Sequence, residues 1–101
     1  MTVKLVVLYT HPDDVTTFEQ HYRDVHAPLV RQVPGLERFE AGVLAGAADG
    51  GDHTYHRLAE LYFADRSALE AGLASEQGAA AAADFQNIAP AGSRMFVAAV
   101  D

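Results

Sequence analysis

The chain has no cysteine. That excludes disulfides, zinc–thiolate centres, iron–sulfur clusters and thiol catalysis. Positive charge is also scarce. Seven Lys and Arg stand against fourteen Asp and Glu, for a formal net charge of -7. Nucleic acid and anionic membranes both demand a basic patch, so neither is an expected partner. No apolar run approaches the roughly 20 residues that cross a bilayer. The run behind Met1-Thr2-Val3-Lys4 is short and reads as a strand, not a secretory leader, so the expected location is cytoplasmic. Gly42, Gly46, Gly50 and Gly51 form neither G-x-G-x-x-G nor a P-loop, and no serine sits in a nucleophile elbow. What is present is a chain of 101 residues, half of them hydrophobic. It is too apolar for disorder and sized for a single domain over 1–101.

Val3 to Tyr9 is a compact apolar run, the pattern of a strand covered on both faces. Thr10-His11-Pro12-Asp13-Asp14 ends it, and Asp13 or Asp14 can cap a following helix. Val15, Phe18, Tyr22, Val25, Leu29 and Val33 then recur at helical spacing. Pro28 removes a donor and clashes one turn back, which predicts a kink near Val25 to Pro28 and a second short helix beyond it. Leu36 to Ala45 and His56 to Ala64 read as strands, joined by a Gly-rich connection over 46–53. Ser67-Ala68-Leu69-Glu70 fits a capping box. Gln77-Gly78 predicts an interruption before a helix over Ala79 to Ile88, and Arg94 to Val100 reads as a fourth strand.

This β-α-β-β-α-β order predicts an α+β, ferredoxin-like fold with a four-stranded antiparallel sheet. Right-handed crossovers put both helical passages on one sheet face. The strands are nevertheless apolar on both faces, with Val6 and Leu8 as well as Leu5 and Val7. A bare apolar sheet of that size is unusual in a monomer. A homodimer that packs sheet against sheet is therefore expected, with a cavity between the sheets if they curl toward a barrel. Simple burial without a cavity is the alternative.

The stretch Phe18-Glu19-Gln20-His21-Tyr22-Arg23-Asp24-Val25-His26-Ala27-Pro28-Leu29, followed by Pro34-Gly35-Leu36, resembles the EthD family, named for ethyl tert-butyl ether degradation. Ala59-Glu60-Leu61-Tyr62-Phe63 and Asp84-Phe85-Gln86-Asn87 are similar to it as well. The resemblance spans nearly the whole chain. It implies a dimeric α+β barrel, in a superfamily that includes cofactor-free monooxygenases, muconolactone isomerases and polyketide cyclases. The family's biochemical role is poorly defined, so the resemblance adds little about the reaction.

His26 is the first candidate for catalysis, because an imidazole beside the proline break can titrate near neutral pH. A structural histidine bonded to a freed carbonyl is the alternative. Tyr22, one turn earlier, can donate to a carbonyl or enolate, or can be core. Glu60 can move protons if it faces an apolar pocket, or can pair with Arg38, Arg57 or Arg94 if it faces the helices. His56 belongs to the same alternating set as Glu60 and Tyr62. Phe18, Leu29 and Tyr62 are the expected apolar ligand contacts. No metal or cofactor is expected. His21 and His26, five apart, should point about 140° from each other on a regular helix. Two functions remain open: cofactor-free acid/base chemistry (isomerisation, cyclisation or oxygenation) on a small hydrophobic metabolite, or binding without catalysis in an oxidative degradation pathway.

Overall fold

The computed structural model describes residues 1–101. The elements run β1 (Val3–Thr10), α1 (Val15–His21), a π-helical turn (Tyr22–His26), α2 (Ala27–Arg31), β2 (Leu36–Val43), β3 (Tyr55–Phe63), α3 (Arg66–Ala74), α4 (Glu76–Ile88) and β4 (Arg94–Ala99). The four strands form one antiparallel sheet in the order β2-β3-β1-β4. The predicted ferredoxin-like α+β arrangement is present.

The predicted barrel is not. The sheet ends at two free edges, β2 and β4, with no pairing between them. Four strands are too few to close, since about eight are needed before the interior just holds side chains. The sheet instead stays open, with its helices laid on one face.

Alternation along β1 fixes which face is covered. Val3, Leu5, Val7 and Tyr9 are buried, while Lys4, Val6, Leu8 and Thr10 are only half-buried. The buried set meets Ala59, Leu61 and Phe63 from β3, and Phe18, Tyr22, Val30 and Leu69 from the helices. Phe63 is completely enclosed, a burial that contributes about 1.5–3 kcal/mol.

The caps differ in part from the sequence reading. Asp14 caps α1 by accepting from the Thr17 N–H at 3.0 Å. Asp65, not Ser67, caps α3 through the Ala68 N–H, because the helix starts one residue before Ser67. The predicted break at Gln77-Gly78 falls instead at Ser75, whose hydroxyl accepts from the Gly78 N–H at 3.0 Å and starts α4. Gly78 serves close packing. A Cβ there would lie 2.2 Å from the Gly72 carbonyl oxygen, so only glycine lets α4 pack tightly against the end of α3.

Candidate functional site

The covered side of the sheet encloses a cavity of about 140 Å³ within a single chain. It lies between β1, β3 and the helices, with Leu5, Val7 and Leu61 below and Val30, Ala81 and Phe85 above. The sequence pointed to a cavity between two sheets of a dimer; this cavity is a separate one within a single chain, where the helices do not collapse fully onto the sheet and the space stays on their side. Leu73 and Met95 line it and are also exposed, so the cavity meets the surface between the end of α3 and β4. Fourteen of its sixteen lining residues are hydrophobic. The polar atoms come from Tyr9, Tyr22 and His26.

The π-turn puts His26 there. Pro28 has no N–H for the regular helical bond to Asp24, so the helix widens just before it. The Ala27 N–H bonds the Tyr22 carbonyl, five residues back. In such a turn, residues five apart stack over one another. His21 and His26 therefore converge instead of diverging as a 3.6-residue helix would make them. Both bond Asp84 of α4: His21 Nε2 to Oδ1 and His26 Nδ1 to Oδ2, each at 2.8 Å.

The protonation pattern follows from these bonds. Burial is the largest influence on Asp84 and opposes its ionisation, but the hydrogen bonds from His21 and His26 outweigh it and hold its pKa below the ordinary carboxylate value. Burial is likewise the largest influence on His26. It keeps the imidazole pKa below 6.5 despite the opposing pull of Asp84. A carboxylate can only accept, so His26 Nδ1 carries the proton and Nε2 is unprotonated. The Tyr9 hydroxyl donates to Nε2 across 3.2 Å. Burial raises the Tyr9 pKa well above its usual value, so this hydroxyl remains protonated.

Tyr22 stands beside His26, with ring centroids 5.2 Å apart. Its hydroxyl is buried and has no hydrogen-bond partner in the chain. Burial, partly offset by the nearby Arg57 charge, pushes its pKa up to about 12. The Arg57 guanidinium lies 4.2 Å from the ring centroid. It sits over the ring face and comes close enough to the oxygen to ease its ionisation, but the geometry falls short of a hydrogen bond. Arg57 is held there by Glu19, which accepts from Arg57 Nε at 3.0 Å and from His56 Nε2 at 2.9 Å.

That double contact depends on a β-bulge. Tyr9 pairs with Arg57 and Thr10 with Tyr55, leaving His56 as the extra residue. The bulge takes His56 out of the alternating set in which the sequence placed it, and buries it against Phe18.

Of the residues singled out in the sequence, His26 and Tyr22 come together at the cavity. Glu60 and Tyr62 lie on the opposite, uncovered face. There Glu60 pairs with Lys4 at 2.6 Å, not with an arginine, and Tyr62 bonds Glu40 at 3.3 Å. Phe18 is a core residue packed edge-on to Tyr9. Leu29 is half-buried outside the cavity. Sequence reasoning missed Tyr9, His21 and Asp84 as site residues. A signal for Asp84 existed: it shares a helical stripe with Ala81, Phe85 and Ile88, and a carboxylate on an apolar stripe requires a partner. No group of three or more His, Asp or Glu is arranged to hold a metal ion, and no helix is long and apolar enough to cross a membrane.

Comparison with known proteins agrees with this architecture. A family model described as the EthD domain matches residues 11–90. An uncharacterised 11.0 kDa protein in the thcB-thcC intergenic region of Rhodococcus erythropolis is 38% identical over 92 residues, covering 91% of this chain and 88% of that one. An EthD-family protein from Bacillus halodurans C-125 superimposes with a TM-score of 0.93 at 29% identity, over 100% of both chains. A hydroxynitrile lyase from Passiflora edulis matches with a TM-score of 0.81 at 12% identity, over 99% of this chain and 94% of that one, which shows a shared fold alone. Several other proteins of this fold are described as dimeric and of unknown function. With four-fifths of its length matched by that family model, the chain belongs to the EthD family.

Proposed function

We propose that the protein binds a small apolar metabolite in the cavity and moves a proton on it without a cofactor, with His26 as the acid/base. The observation that carries this reading is the chain Asp84–His26–Tyr9 at the wall of an otherwise apolar cavity, which sets a neutral imidazole there with its Nε2 held by Tyr9. With burial holding its pKa below the ordinary imidazole value, His26 is neutral at pH 7 and free to accept a proton. Tyr9 holds its own proton too tightly to be the source. The ligand displaces the 3.2 Å Tyr9 contact, Nε2 takes the ligand's proton, and Asp84 stabilises the imidazolium. Returning that proton to another atom of the ligand completes an isomerisation or a cyclisation with no oxidant consumed. His21, bonded to the other oxygen of Asp84 and half-exposed, fixes the carboxylate from the solvent side. The hydroxynitrile lyase of the same fold supports the reading only in that this fold can carry an enzyme.

Binding without catalysis is favoured less, because a purely storage cavity has no use for a polarised imidazole. The test is deuterium exchange at the carbons next to the carbonyl of cyclohexanone in D2O, followed by NMR. The wild type should accelerate exchange and His26→Ala should not. Equal rates for both proteins would remove the acid/base role.

The assembly proposed is a homodimer through the uncovered sheet face. Val6, Leu8, Leu58 and Phe96 give that face an apolar centre, and the dimeric relatives of the same fold support it.

A further inference from the structure

We infer that the cavity is built for a neutral, single-ring compound carrying one carbonyl oxygen, and that Tyr22 is the residue that binds this oxygen. The inference rests on the cavity being the working site and adds the ligand's size, charge and polar group.

Size comes from volume. A dry, apolar cavity of about 150 Å³ takes up benzene. The cavity here is about 140 Å³ and walled by Leu, Val, Ala and Phe. One six-membered ring fills it, and two fused rings do not fit without displacing a wall.

Charge comes from what the walls lack. No Lys or Arg lines the cavity. Arg57, the cation packed on the Tyr22 ring, is not among the lining residues and is engaged by Glu19. A ligand carboxylate would lose its hydration and gain no partner, a large penalty in apolar surroundings. A ligand cation fares no better, because no Asp or Glu lines the cavity.

The polar group comes from Tyr22. The residue is 3% exposed and its hydroxyl has no partner within the chain. Leaving a buried hydroxyl unpaired is costly, and an acceptor supplied by a ligand removes that cost. The neighbouring Tyr9 hydroxyl is not available in this way, since it is bonded to His26. A carbonyl oxygen suits Tyr22 because it accepts without bringing a donor of its own. The Tyr22 and His26 rings are 5.2 Å apart, so a ligand bound at Tyr22 is also near the imidazole.

The experiment measures affinities of benzene, cyclohexanone, cyclohexanecarboxylate and 2-decalone for the wild type and for Tyr22→Phe, by ligand-observed NMR. Benzene should bind both proteins equally, which also shows that the variant is folded. Cyclohexanone should bind the variant about five- to tenfold more weakly, the value of one buried hydrogen bond. The carboxylate and the two-ring ketone should bind at least tenfold more weakly than cyclohexanone. If cyclohexanone loses nothing in Tyr22→Phe while benzene still binds, the role of Tyr22 is overturned and the cavity reading survives. If the carboxylate or 2-decalone matches cyclohexanone, the charge or size assignment is overturned. If neither benzene nor cyclohexanone binds the wild type, this inference and the proposed function fall together.

Discussion

His26 and Asp84 are 58 positions apart in sequence and 2.8 Å apart in space. An asparagine at 84 could still accept from Nδ1–H, but it would carry no charge to stabilise the imidazolium. Asp84→Asn should therefore slow cyclohexanone exchange by about a hundredfold or more while leaving benzene affinity unchanged. The same pair governs acid stability. His26 has a folded pKa below 6.5, so the unfolded chain binds its proton first. Its contribution is complete above 6.5 and is lost as pH falls through the lower folded value. Asp84, also depressed, acts in the same direction, beginning below its ordinary 3.8. The urea midpoint should fall between pH 7 and pH 5, and His26→Gln should flatten that fall. An unchanged slope in the variant would contradict the assignment. His26 and Tyr22 were legible in the sequence because they share a helical stripe. Asp84 was not, because its partners come from a different helix and only tertiary packing brings them together.

The decisive elements are the irregular ones. Hydrophobic periods of two and 3.6 residues revealed the strand and helix order, and Pro28 marked where the first helix would deviate. Periodicity could not show that the deviation is a π-turn, and that turn alone brings His21 and His26 to one carboxylate. The bulge at His56 was hidden for the same reason: one extra residue flips the alternation, and only the partner strand reveals it. Glu60 was ambiguous because strand alternation gives two faces without saying which is covered. Gly78 offers a test at this scale. Helix propensity alone says that Gly78→Ala should stabilise α4 by about 1 kcal/mol. The clash of a Cβ with the Gly72 and Leu73 carbonyls says the reverse, a loss of about 1–3 kcal/mol. The urea midpoint of the variant should therefore drop, and a rise would show that α3 and α4 can separate freely.

At the scale of the molecule, the sheet has one face under helices and one face open. The open face is mixed, with Val6, Leu8, Leu58 and Phe96 around the Lys4–Glu60 pair. The sequence showed that this face was too apolar for easy exposure. It did not show that the cavity would form on the other side, between sheet and helices, where it needs no second subunit. Assembly and chemistry are thereby separable. Val6→Glu should shift the protein from twice the mass of one chain to a single chain in sedimentation, and benzene affinity should persist. A wild type that sediments as a single chain at micromolar concentration would contradict the dimer and leave the cavity intact.

The proposed chemistry requires a neutral His26 with an unprotonated Nε2 at the wall of the apolar cavity. It is tested most directly by 15N NMR of the imidazole nitrogens at pH 7. The ring should be neutral with its proton on Nδ1, and the Nε2 signal should shift when cyclohexanone is added. A ring protonated on Nε2, or an imidazolium at that pH, would contradict it.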